Sequence, residues 1–189
     1  MGQSLGSLRQ RGVSLIEVLV TILILSIGLL GVAGLQSRLQ MSEMEAYQRS
    51  QALLLLNDMA SRIATNRNNA DDYVTGTSSP LGSGASSCSA ASSARADVDL
   101  GEWCNALQGA AETSGSSRVG AMLGARGCIE DVGDNQYMIT VAWQGMAPIS
   151  APPATVACGS GQYNGETGSS CSNDLCRRVV TTIVRVADL

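Results

Sequence analysis

A chain of 189 residues with a net charge of −4 and neither histidine nor lysine has no basic patch for nucleic acid and no imidazole for acid–base catalysis or metal ligation. Phenylalanine is absent and aromatics make up 3 % of the residues, so a core must come from Val, Ile, Leu, Met and the two tryptophans. The length allows one modest domain, which buries only about 60 to 70 % of its surface on folding and gains from crosslinks.

Residues 1–12 form a short leader that carries Arg9 and Arg11 and no acid. From Val13 to Leu35 the chain is apolar for about 23 residues, roughly 35 Å of helix, enough to cross a hydrocarbon core of about 30 Å. Arginines ahead of that run place the N-terminus in the cytoplasm and the rest of the chain outside, by the positive-inside bias. Glu17 is the one charge within the run. A carboxylate at that depth costs about 2.5 to 3.5 kcal/mol on insertion scales, so it calls for a partner.

Three readings of this N-terminus compete. A secretory signal would be cut at a small-residue site such as Gly31-Val32-Ala33, but its apolar core would exceed the usual 7 to 15 or so residues and would contain Glu17. A plain single-pass anchor fits the length and leaves Glu17 without a purpose. In the third, Arg9, Arg11, Gly12, Leu15, Ile16 and Glu17 together resemble the class III signal of type IV pilins and of type II secretion pseudopilins. That resemblance implies a prepilin peptidase that cuts after Gly12, keeps the apolar segment and leaves Val13 as the mature N-terminus. It also implies N-methylation of that residue, although valine stands where the family usually has phenylalanine. The amine released at Val13 lies one helical turn from Glu17 on the same face. In the family such a glutamate meets the terminal amine of a neighbouring subunit during assembly, and a buried pair of this kind contributes register more than stability.

The helix is expected to continue past Leu35, as an apolar half over 13–35 and an amphipathic half over 36–66, some 54 residues and roughly 80 Å in all. Gly28, Gly31 and Gly34 weaken it by about 1 kcal/mol each relative to alanine, and serve either bending or close helix packing. Ala52, Leu56, Met59, Ala60 and Ile63 share one face, with Gln48, Asp58 and Arg62 read as lying elsewhere. Asn66-Arg67-Asn68-Asn69 supplies the stop.

Residues 67–189 form the external domain. Its stretch 74–97, rich in Ser, Gly and Ala around Pro80, reads as a surface loop. A short helix is predicted from Asp99 to Glu112, with Trp103, Leu107 and Ala110 or Ala111 on its apolar side and Trp103 in the core. Gly127 to Val132 and Tyr137 to Trp143 make a hairpin through Gly133-Asp134-Asn135, and Arg178 to Val186 is a return strand reached by a long connection over 148–176. The expected class is α+β: a long N-terminal helix packed on a small antiparallel sheet, pilin-like and stapled by disulfides.

All six cysteines, Cys88, Cys104, Cys128, Cys158, Cys171 and Cys176, follow the apolar run. An even count in an exported small domain predicts disulfides, whereas zinc lacks both histidine and a C-x-x-C pair. Six cysteines allow 15 connectivities, so spacing does not choose among them. The pilin resemblance implies that Cys158 closes a C-terminal loop with Cys176 or Cys171; one bridge is expected within the 158–176 group and another joining Cys88 or Cys104 to the body. Glu130, Asp131 and Asp134 invite a calcium reading but lack the regular oxygen spacing of a known loop, so a solvated hairpin turn is favoured, as it is for Asp71-Asp72. The serines have no partner base and the cysteines are expected to be oxidised. Neither an enzyme nor a cofactor, metal or small-molecule substrate is expected.

Within the resembling family, Ser14-Leu15-Ile16-Glu17-Val18-Leu19-Val20, then the run from Gly28 to Gln36, then a cysteine-rich domain are most similar to PilV-type minor pilins. The resemblance implies partners: a prepilin peptidase, other minor pilins and the major pilin through the N-terminal helix, and a tip adhesin. It implies a course from the inner membrane to the pilus, in support of twitching motility and attachment. An I-type minor pseudopilin of type II secretion shares the N-terminal pattern. A single-span anchor carrying a periplasmic binding module is the reading from a different class, and in it Glu17 is incidental.

Overall fold

The computed structural model describes residues 12–110, 113–114, 117–118 and 122–187. The leader arginines Arg9 and Arg11, and residues 111–112 at the end of the expected second helix, lie outside the described residues. The chain divides into two units, Met1–Glu43 and Met44–Leu189.

Helix α1 runs from Leu15 to Thr65. In the first unit every described residue is exposed, and the helix is long and apolar enough to cross a membrane. Two hydroxyls within its apolar half turn back on their own backbone: Thr21 Oγ1 donates to the Val18 carbonyl at 2.8 Å and Ser26 Oγ to the Ile22 carbonyl at 2.7 Å. Those two hydroxyl protons need no partner from a non-polar surrounding.

In the second unit α1 buries Gln48, Ala52, Leu56, Met59 and Ile63, a stripe at helical spacing. Gln48 is a correction. It is expected off the apolar face, yet its position four before Ala52 puts it on the stripe, where it is 3 % exposed with no partner for Oε1. Ala60 is only half-buried. The helix stops at Thr65, beside the Asn66 signal, and a 3-10 helix over Arg67–Tyr73 follows where only a stop was expected. That turn buries Ala70 and Tyr73.

The remaining elements are β1 (Leu81–Gly82), α2 (Arg95–Leu107), β2 (Thr113–Ser114), β3 (Ser117–Arg118), β4 (Arg126–Gly133), β5 (Gln136–Gln144) and β6 (Arg177–Arg185). β1, β4, β5 and β6 form an antiparallel sheet in that spatial order, while β2 and β3 pair separately. β4 and β5 meet in a two-residue turn whose Asp134 and Asn135 hold φ of 55° and 54°, the left-handed pair that a tight hairpin demands. One sheet face carries Ile129, Ile139, Val141 and Trp143 into the main core with Leu56, Met59, Ile63, Trp103 and Leu107. Gly127 is required there: a Cβ on it would collide with the Trp103 indole. Trp103 is the core anchor expected, and its indole N–H donates to the Leu55 carbonyl at 2.9 Å. On the opposite face Cys128 and Ala142 are covered by Cys158 and Tyr163 from the long connection.

Three expectations need revision. α2 begins at Arg95, inside the stretch read as loop, and ends at Leu107, so Ala110 is exposed beyond it. β1 also falls within that stretch and pairs with β4, Leu81 opposite Gly127. The cysteines join as Cys88–Cys104, Cys128–Cys158 and Cys171–Cys176, with Cα separations of 5.2, 5.8 and 5.2 Å. Cys158 is thus tied to the sheet rather than to Cys171 or Cys176, because the outer sheet face needs a cover; the bridge expected within the 158–176 group is present as Cys171–Cys176. Cys88 and Cys104 pair with each other, holding the serine-rich loop to α2.

Candidate functional site

Gly12, Val13 and Ser14 precede α1 outside regular secondary structure. The Ser14 carbonyl accepts from the Glu17 N–H at 3.0 Å and the Val18 N–H at 3.3 Å, closing the first turn with Glu17 inside it. A carboxylate there faces the positive end of the helix dipole. Sequence reading passed over this placement, although Ser14-x-x-Glu17 has the spacing of a helix start. Among the described residues the Glu17 carboxylate meets no cation. Val13 is 71 % exposed, so an amine released on it would stand free, one turn from Glu17.

Gly12 is informative for what it does not do. A Cβ added there meets nothing within 4 Å, and its φ is not in the left-handed region. Nothing in the protein's own packing calls for glycine at this position.

Residues 7–33 match the prokaryotic N-terminal methylation motif. Over these residues the chain is similar to type IV pilins and pseudopilins. The motif covers Gly12, Val13 and Glu17, and it is shared by pilins and pseudopilins. It implies processing by a prepilin peptidase and assembly with other pilins and suggests a structural role, and the apolar helix fits a membrane-anchored pilin. No curated protein and no solved structure matches the chain significantly.

In the second unit of this pilin-like chain, sequence reasoning missed a buried ionic cluster. Asp99 of α2 is 1 % exposed. It accepts from Tyr73 Oη at 2.6 Å and Arg62 Nη1 at 2.7 Å, and pairs with Arg95 Nη2 at 2.8 Å. Burial by itself would raise the Asp99 carboxyl, but the hydrogen bonds from Tyr73, Arg62 and Arg95 outweigh it and hold the group below its ordinary value. Burial, with the bond to Asp99, pushes Tyr73 up to about 12. Arg62 also binds Asp58 at 2.9 Å and Glu102 at 2.6 Å. The cluster joins α1, the 3-10 helix and α2; its chemistry is that of a clamp.

The acids read as solvated divide. Asp131 Oδ1 accepts the Gly133 N–H at 2.8 Å and serves the hairpin turn with exposed Asp134. Glu130 instead is half-buried, its Oε2 lacks a partner, and burial raises its carboxyl. Asp71 accepts from Tyr137 Oη, a bond that together with burial takes that phenol up to about 12. Among the described residues no three His, Cys, Asp or Glu side chains stand close enough to share a metal.

Proposed function

We propose that this chain is a minor pilin of a type IV pilus. A prepilin peptidase cuts after Gly12, Val13 becomes the methylated N-terminus, and Glu17 docks on the terminal amine of a neighbouring subunit. The cut chain sits in the inner membrane, N-terminus in the cytoplasm and residues 67–189 outside. With other minor pilins and the major pilin, which it meets through its N-terminal helix, it primes assembly and displays a tip adhesin at the pilus tip. In that place it supports twitching motility and attachment.

The observation that carries this reading is the methylation motif over residues 7–33, at the head of an apolar helix that no other part of its own unit covers. Its exposed leucines, isoleucines and valines need an apolar surrounding, which the membrane supplies before assembly and neighbouring helices supply after it. A pseudopilin of type II secretion shares the motif. Three bridges in the external unit favour the pilus, because pseudopilins of the I type are generally smaller with few cysteines.

Co-purification from cells tests the role. Tagged chain should bring down other minor pilins and the tip adhesin, and its deletion should reduce surface pili. Recovery with secretion pseudopilins instead, and normal piliation without it, would reassign the chain to a secretion system.

A further inference from the structure

Two polar loops of the second unit are each fixed by a disulfide, and a cleft lies between them. One wall is the serine-rich stretch 77–87, tied to α2 by Cys88–Cys104; the other is 157–162, tied to β4 by Cys128–Cys158. The cleft encloses about 520 Å³. Two of its glycines hold left-handed backbone. At Gly84 (φ +88°) an added Cβ would stand in ordinary contact with the Arg126 guanidinium at 3.5 Å, while at Gly159 (φ +67°) one would crowd the Tyr163 ring at 2.8 Å.

Among the described residues Arg126 is the only charged side chain lining this cleft, and no carboxylate lines it. The guanidinium carbon stands 5.1 Å from the Tyr163 ring centroid, and Nη1 donates to the Gly124 carbonyl at 3.1 Å. Tyr163 Oη donates to the same carbonyl at 2.9 Å. Ring and carbonyl thus orient a half-buried cation that has no ion-pair partner among the described residues. Around it lie Thr77, Ser78, Ser83, Ser86, Ser160 and Gln162.

This chemistry narrows the ligand. The volume lies within the roughly 300–1,000 Å³ of small-molecule sites and far above the ~30 Å³ share of one water, so a lone inorganic ion would not fill it. Hydroxyl and amide side chains both donate and accept, as sugar hydroxyls do, and one guanidinium matches one carboxylate. A single cation on an acidic chain does not suit a polyphosphate. Bridging both walls lowers the ordering cost of binding. We propose that this cleft binds an acidic saccharide, its carboxylate on Arg126 and its ring hydroxyls on the serine, threonine and glutamine side chains of the two walls. The site belongs to the second unit and does not depend on the pilus reading.

Calorimetric titration of the detergent-solubilised full chain tests it, with trigalacturonate and sialyllactose as acidic probes and maltotriose and inorganic phosphate as comparisons. At least one acidic probe should bind saturably, and maltotriose about tenfold more weakly or not at all. Arg126→Gln should weaken the acidic probe about tenfold. Ser86→Trp, which fills the cleft from an exposed position and leaves Tyr163 untouched, should abolish binding. Near-UV circular dichroism checks that each variant is folded, and if Arg126→Gln is not, Ser86→Trp decides alone. Absence of saturable binding by both acidic probes, unchanged binding in Ser86→Trp, equal affinity for maltotriose, or displacement by equimolar phosphate would each overturn the proposal.

Discussion

At the scale of single residues, Gly12 and Glu17 are separable because neither is needed by the fold. A side chain at Gly12 meets open space, so Gly12→Leu should leave the structure unchanged and, if the proposed cut is correct, accumulate uncleaved precursor on an immunoblot. Processing at the wild-type rate would move the cut elsewhere. Glu17→Ala should be cleaved normally yet fail to enter pili or the priming complex; normal piliation and normal recovery of partner pilins would remove the docking role. Both residues were legible in the sequence because the signal is linear, read off neighbours in order. Asp99 was not, since its partners Arg62 and Tyr73 lie 37 and 26 positions away. Asp99→Asn should cost about 3 kcal/mol in denaturant unfolding, as expected when a buried pair loses one charge. The sign with pH follows from its lowered carboxyl: the contribution is complete above the ordinary value of 3.8 and is lost as pH falls through the lower folded-state value. The Asn variant should therefore lack part of the wild-type acid-side loss. Tyr73 acts at the other end. Its contribution is complete below 10.0 and fades as pH rises toward about 12, so Tyr73→Phe should flatten the alkaline limb.

Elements were legible where their signals are local. The end of α1, the β4–β5 hairpin and β6 follow from an asparagine cluster, a Gly-Asp-Asn turn and a β-branched run. α2 was misplaced because its start carries no side-chain cap of its own at Ala94; Ser92 Oγ accepts the Ala94 N–H at 3.0 Å from two residues upstream. Its end did have a signal that went unread, Gly109 at φ 79° just past the last turn. The bridges were the least legible, because pairing depends on which loop covers which face. β5 buries Thr140 and Ala142 on its outer side as well as Ile139 and Val141 on its inner side, and that two-sided burial is what brings Cys158 onto Cys128. The chain-entropy relation orders the bridges by loop length. Replacing Cys128–Cys158 by paired serines should cost about 3.5 kcal/mol, Cys88–Cys104 about 3 and Cys171–Cys176 about 2. Denaturant midpoints of the three paired variants check the order. A smallest loss at Cys128–Cys158 would mean that Tyr163 and Val179 hold that loop without the bridge.

At the scale of the whole molecule, the first unit exposes every apolar side chain among its described residues, and the second closes around its own core. A chain so divided is stable in water only when something else surrounds its first unit. The α+β class, the long first helix and the disulfide stapling were readable in advance, because each rests on composition and periodicity. The clamp and the cleft were not, because they arise only where distant segments meet. The account turns on the retained helix and its new N-terminus. The direct measurement is mass spectrometry of the intact protein, with N-terminal sequencing, from cells with and without prepilin peptidase. With the peptidase, the chain should begin at Val13, with or without a methyl group; without it, residues 1–12 should remain attached. A mature N-terminus at Met1 or near Ala33, or the same N-terminus in both strains, would contradict the account.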